Sequence, residues 1–123
     1  MFHVTRIGDK RLEIDFSGKL DSHDMRFALD ELWRKSEGIT AGQLLWRIGE
    51  FDMPTLGAVG VELARIPQLF RLIRRFDRCA VVCGKEWVRK AAELEGTLIP
   101  GLTVRAFEEH QGTAAHFWLD DSA

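Results

Sequence analysis

Polar and apolar residues alternate without a break across Arg11-Leu12-Glu13-Ile14-Asp15-Phe16. A period of two predicts a half-exposed strand, with Leu12, Ile14 and Phe16 toward the core. Phe2 to Ile7 alternates more loosely, and Gly8-Asp9-Lys10 between the two runs is a turn, so they read as an N-terminal hairpin. Ser17-Gly18 ends the second strand. The period then changes. Met25, Ala28, Leu29 and Leu32 recur at helical spacing, which predicts a helix over His23 to Glu37. Asp21 and Ser22 are N-cap residues, Asp24 complements the first turn, and Gly38 supplies a C-cap. Gln43 to Ile48 is a short, mostly apolar run of the kind found in central strands.

After a loop over Gly49 to Pro54, Thr55 can cap a long helical stretch from Leu56 to Phe76. Pro67 interrupts it, because proline lacks the amide donor and clashes with the preceding turn. The expectation is a kink, or two helices with Pro67 near the start of the second. Cys79-Ala80-Val81-Val82-Cys83 reads as a buried strand ended by Gly84. Lys85 to Leu94 is a helix with Trp87, Val88, Ala91 and Leu94 at helical spacing, Leu102 to Phe107 is a strand, and Gly112 to Leu119 is the last helix. The order is β-β-α-β-α-β-α-β-α. After the hairpin each strand is followed by a helix, which predicts a mixed, mostly parallel sheet covered by helices. No linker or repeat divides residues 1–123, whose length suits one domain.

Composition narrows the classes. Hydrophobic residues make up 46% and charged residues 29%, too apolar for a disordered chain. Two cysteines do not make a disulfide scaffold. Cys79 and Cys83 lie four apart on one strand, about 13 Å at ~3.3 Å per residue, too far to bond each other. They read as core residues that stay reduced. Met1 to Arg6 shows no basic stretch followed by an apolar run, so the expectation is a cytoplasmic protein.

Catalytic signatures are missing from the sequence. It has no phosphate-binding glycine loop, no His-Glu-x-x-His spacing and no tyrosine. Ser22-His23-Asp24 has the residue types of a triad, but consecutive residues cannot converge on one point. Glu108-Glu109 precedes the last helix, where carboxylates complement the helix dipole. An enzyme would need a pocket joining Glu108, Glu109 or His110 to another tuned group. The reading is of a non-enzymatic protein with no cofactor and no metal.

Charge changes the picture. The net value is −2, which gives no argument for nucleic acid. Yet Gly60 to Lys90 carries eight basic residues against three acidic ones, a net of +5, which leaves −7 on the remainder. On a helical wheel Val59, Leu63, Ile66, Leu69, Phe70 and Ile73 share the face that packs on the sheet, with Arg71 and Arg75 opposite. Val61 and Leu72 fall at the margin near Arg65, which places apolar groups beside arginines as on an interfacial surface for anionic lipid. Arginine stems covering an ordinary solvated face would give the same pattern. Trp33, Trp46, Trp87 and Trp118 sit at core-like spacing, or could line a cavity for an apolar ligand.

Three stretches, in this order, carry a resemblance. They are Phe16-Ser17-Gly18-Lys19-Leu20 with Asp24; Phe76-Asp77-Arg78-Cys79-Ala80-Val81-Val82 with Trp87; and Arg105-Ala106-Phe107 with Ala114-Ala115-His116-Phe117-Trp118-Leu119. From Phe2 to Leu119 the chain resembles the SpoIIAA-like family, bacterial relatives of STAS domains. The resemblance implies a STAS-like α/β fold, similar also to lipid-binding CRAL-TRIO domains, and no known enzymatic activity. STAS anti-sigma-factor antagonists carry a phosphorylatable serine where the helix after the third strand begins. The matching stretch here is Phe51-Asp52-Met53-Pro54-Thr55-Leu56-Gly57. Thr55 is its only hydroxyl, Asp52 is not adjacent to it, and Pro54 intrudes.

Two functional expectations follow. In the first, segment 56–76 binds an anionic membrane surface or a small apolar ligand, Pro67 acting as hinge and Arg65, Arg71, Arg74 and Arg75 meeting head groups beside Val61 and Leu72. The protein would then be peripheral at the inner membrane face. In the second, the chain is a regulator of the anti-sigma-factor-antagonist type, with Thr55 as phosphorylation site or partner contact. A sheet edge or helix pair could also support a homodimer.

Overall fold

The alternation in the second strand does what its period requires. Leu12 and Ile14 are fully buried, and across the antiparallel hairpin Ile14 lies opposite Val4, also buried. The computed structural model describes residues 2–19, 22–51, 71–97 and 99–121. In chain order these form β1 (Phe2–Ile7), β2 (Arg11–Gly18), α1 (Ser22–Lys35), β3 (Gly42–Phe51), β4 (Phe76–Cys83), α2 (Glu86–Gly96), β5 (Thr103–Phe107) and α3 (Gly112–Asp120). A 3-10 turn, Glu109–Gln111, leads into α3, and residues 71–73 are helical.

Among the described residues the strands make one five-stranded sheet in the order β1-β2-β3-β4-β5. β1 is antiparallel to β2, and all later pairings are parallel. Sequence neighbours are therefore spatial neighbours, and every crossover steps the same way. Right-handed crossovers that all step one way put their helices on one face. On that face Leu32 of α1 packs with Val4, Leu12, Ile14, Ile39, Leu72 and Phe76, and Gly96 of α2 lies against Val104. α3 follows the last strand and covers the other face, where Ala115 and Leu119 pack on Leu45, Ala80, Val82 and Phe107.

The structure corrects the sequence expectations in three places. The stretch expected to be helical through Phe76 instead turns at Arg74 and Arg75, and Phe76 is already in β4, buried. The cause is local: the Arg75 carbonyl accepts the Gly42 N–H at 2.8 Å, which draws the chain into the sheet. Next, Leu72 is 7% exposed and belongs to the core, not to an exposed margin. Finally, Trp87 and Leu94 share a helical face but are 57% and 67% exposed. α2 packs through its opposite side, where Arg89 Nη1 donates to the Cys83 carbonyl at 2.8 Å and Gly96 meets Val104. A wheel finds an apolar stripe but cannot say whether a polar residue on the other side anchors the helix more firmly.

Cys79 and Cys83 are both buried and unpaired, as their spacing requires. Burial pushes the Cys79 thiol up to about 12. An unfolded thiol ionises near ~8.5. Above that pH the unfolded chain releases a proton the folded chain keeps, so stability falls as pH rises toward 12. The slope from this one group is at most about 1.4 kcal/mol per pH unit. Urea midpoints between pH 8 and 10 should fall more steeply for the wild type than for Cys79→Ala; equal slopes would contradict it.

Candidate functional site

Among the described residues the strand order does not reverse, so the sheet has no topological switch point of the doubly wound kind. What it offers instead are two ends. The carboxyl end gathers residues that leave β3, β4 and β5. Lys85 Nζ lies 3.9 Å from Glu50 Oε2, Arg89 Nη2 lies 3.9 Å from Glu108 Oε1, and His110 Nε2 lies 3.6 Å from Glu108 Oε2. β3 ends at Phe51 at this same end. The Glu108 side chain is held by a capping box: its carboxylate receives the Gln111 backbone, and the Gln111 amide oxygen accepts the Glu108 N–H at 2.8 Å. Glu109 covers Gly84, where an added Cβ would lie 3.0 Å from Glu109 Oε2.

Glu108 and His110 thus do meet, but both stand in solvent. Acid–base chemistry needs two groups with separately tuned environments in a pocket, and the His110 and Glu108 side chains are 77% and 53% exposed. Among the described residues no group of three or more His, Cys, Asp or Glu could hold a metal ion, and no helix is long and apolar enough to cross a membrane. The geometry here suits recognition of a charged surface by alternating carboxylates and cations.

The amino end is where β2, β3 and β4 begin. Arg71 and Arg74 are exposed there, and their side chains have no ion-pair or hydrogen-bond partner among the described residues. Arg75 differs from its expected role. Its guanidinium lies over the Trp33 ring at 4.2 Å, and Nη1 donates to the Trp33 carbonyl at 3.2 Å and to Ser36 Oγ at 2.6 Å. It ties the last turn of α1 to the start of β4, so it is a structural residue and not a free cation. Thr55, Val61, Arg65 and Pro67 lie outside the described residues.

A third polar assembly lies between β2, β3 and α3. The polar side of β2, expected to face solvent, runs half under α3. Arg11 donates through Nε and Nη2 to Gln43 Oε1 at 2.9 and 2.6 Å, and through Nη2 to Asp120 Oδ1 at 2.5 Å. Gln43 Nε2 in turn donates to the Leu119 carbonyl at 2.6 Å, and Arg78 Nη1 to the Trp118 carbonyl at 2.6 Å. His116 sits between two guanidiniums, with Arg47 Nη2 3.1 Å from Nε2 and Arg11 Nη1 3.4 Å from Nδ1. A guanidinium only donates and an imidazole has at most one acceptor nitrogen, so only one of the two can be its donor; the Arg47 contact is the shorter. Arg47 also pairs with Glu13 at 2.8 Å. These residues are partners because β2 and β3 place Arg11 beside Gln43 and Asp15 beside Arg47. The available signal was the charge on β2, but its partners lie 32 to 109 residues away in sequence.

The tryptophans do not line one cavity. Trp33 and Trp46 pack on the α1 side of the sheet, Trp46 edge-on to Phe2 at 6.1 Å, while Trp118 packs with Phe107 on the other face and Trp87 is exposed.

Comparison with known proteins agrees with this architecture. A solved structure of an uncharacterized protein from the DUF3478 family with a SpoIIAA-like fold, from Shewanella loihica PV-4, is 22% identical, with a TM-score of 0.74 over 97% of this chain and 92% of that one. The anti-sigma factor antagonist SpoIIAA in its unphosphorylated form is 16% identical, with a TM-score of 0.53 over 95% of this chain and 98% of that one. The Bacillus cell fate determinant SpoIIAA in the phosphorylated form is 17% identical, with a TM-score of 0.53 over 93% of this chain and 97% of that one. At these identities the likeness is one of fold. A search of curated proteins gave no match. The SpoIIAA-like family model matches residues 11–120, which span the sheet from β2 onward and all three helices described above, and the chain belongs to that family.

Proposed function

We propose that this SpoIIAA-like domain is a non-enzymatic regulator that docks a partner protein on the carboxyl end of β3, β4 and β5. The observation that carries this reading is the exposed array of Glu50, Lys85, Glu108 and His110 around the end where β3 stops at Phe51. Alternating charges on a rigid strand end favour one complementary protein surface over others and speed encounter. The fold is that of an anti-sigma factor antagonist solved with and without phosphate, which supports a protein partner for this fold. In this reading Thr55 is the hydroxyl nearest that end in sequence. Without an adjacent acidic residue, and with Pro54 before it, it serves as a contact whether or not it is phosphorylated.

The test is retention of a protein from the source cells on the immobilised chain. Wild type should retain a partner that the double variant Lys85→Glu/Glu108→Lys loses by about tenfold, while Arg71→Gln leaves it bound. Equal retention by the wild type and the double variant would remove the carboxyl end as the docking site.

A second reading keeps the membrane surface as the partner, with the protein cytoplasmic and peripheral. The exposure of Arg71 and Arg74 favours it. Leu72 and Arg75 no longer contribute contacts to it, because both are committed to the fold.

A further inference from the structure

The second reading rested on one helical segment, and the tertiary structure adds a surface to it. Gly42 brings two distant pieces of chain together: a Cβ on it would lie 2.8 Å from the Lys10 carbonyl and 3.1 Å from the Arg75 carbonyl. The β1–β2 turn and the 71–75 segment therefore meet across the start of β3. Lys10 joins Arg71 and Arg74 at the amino end of the parallel strands, and all three are exposed with no side-chain partner among the described residues. Ile7, at the end of β1 beside that turn, is 46% exposed.

The local charge is more positive than a pairwise reading implies. Arg6 donates to the carbonyls of Gly8, Asp9, Lys35 and Glu37, and Arg75 to a carbonyl and a hydroxyl. Neither charge is answered by a carboxylate among the described residues, and the same holds for Arg78, which donates to the Trp118 carbonyl. Lys10, Arg71, Arg74, Arg6, Arg75 and Arg78 are thus six cations with no carboxylate partner among the described residues, with Asp9, Glu37 and Asp77 near them in sequence. Asp120 and Glu31 are already paired, with Arg11 and Arg34.

We infer that this amino end is the surface that meets an anionic bilayer, with Lys10, Arg71 and Arg74 on the head groups and Ile7 entering the interface. This deepens the second reading above and rests on it. The occupant is lipid and not a soluble polyanion because the exposed Ile7, at the same turn as Lys10, gains from an apolar layer and gains nothing from phosphate alone.

The test is co-sedimentation of the full chain with vesicles of phosphatidylcholine containing 30% phosphatidylserine, and with phosphatidylcholine alone. Wild type should pellet with the anionic vesicles at low salt, stay in solution with neutral ones, and be released by added salt. Each cation near such a surface is worth about fivefold in partitioning, so Lys10→Gln/Arg71→Gln/Arg74→Gln should weaken binding on the order of 100-fold. Ile7→Ser should weaken it at unchanged charge. None of these side chains holds the fold together, and unchanged thermal melting of the variants checks that. If wild type does not pellet with anionic vesicles, or pellets equally with neutral ones, both this inference and the second reading fail. If it pellets and the triple variant pellets equally, only the amino-end placement fails. Loss of pelleting in Lys85→Glu/Glu108→Lys alone would likewise move the membrane to the carboxyl end.

Discussion

Gln43→Leu is expected to destabilise the domain by about 3 kcal/mol, read as a lower urea midpoint and a Tm lower by roughly 10 °C. Leucine keeps the volume, so the loss comes from hydrogen bonds. Gln43 is one of two buried polar residues among those described, and it is a two-way connector. Its oxygen accepts two bonds from Arg11, and its nitrogen caps the Leu119 carbonyl near the end of α3. Leucine would take the Gln43 donor from that carbonyl and leave the Arg11 side chain, only 14% exposed, with less to bond. Leaving a buried group unsatisfied costs more than the bond itself contributed. The same asymmetry predicts the double variant. Arg11→Met/Gln43→Leu should be less damaging than the sum of the single changes by at least about 1 kcal/mol, because it removes donor and acceptor together. Strict additivity would show that Arg11 and Gln43 act independently.

Arg75→Ala is expected to destabilise by about 2 kcal/mol, since it removes hydrogen bonds to a carbonyl and a buried hydroxyl and a guanidinium stacked on Trp33. Ser36 is fully buried, and its hydroxyl donates to the Trp33 carbonyl at 3.2 Å, so Arg75 is the donor that its lone pair meets. Arg75→Lys should recover less than half of the loss, because an ammonium cannot stack flat and reach both acceptors. Chemical denaturation checks the ranking. A loss below about 0.5 kcal/mol for Arg75→Ala would return Arg75 to the class of ordinary surface arginines.

The two arginines of the turn at 74–75 illustrate what a one-dimensional reading can do. Arg74 and Arg75 are adjacent and equally charged, and a helical wheel turns Arg75, not Arg74, directly away from the packing face. One is exposed and the other is tied to α1, because the chain leaves its helix between residue 73 and Phe76. The wheel also placed Leu72 at a wet margin, whereas it joins Leu32 and Phe76 in the core. Both errors share a cause: which side of a helix faces inward is set by what it packs against, and that includes backbone from β3. At the carboxyl end, Glu108, Glu109 and His110 were visible as candidates from their types. That Glu108 meets His110 and Arg89 came from the capping turn and from α2.

The sequence by itself determined the elements, their order and the family. Alternation from Arg11 to Phe16, the apolar run from Cys79 to Cys83 and helical spacing from Met25 to Leu32 are local signals, and local dihedral preference with side-chain period is enough to produce them. It also determined that the two cysteines do not bond each other, since a strand's rise fixes their separation. The tertiary structure decided everything that depends on partners far apart in the chain. It set Arg11 and Gln43 under α3, freed Arg74 while engaging Arg75, turned Trp87 outward, and brought Lys10 beside the 71–75 segment across Gly42. A charge written in the sequence has a sign but no neighbours; packing the parallel strands in order supplies the neighbours, and with them the division between residues that hold the fold and residues left to meet something else.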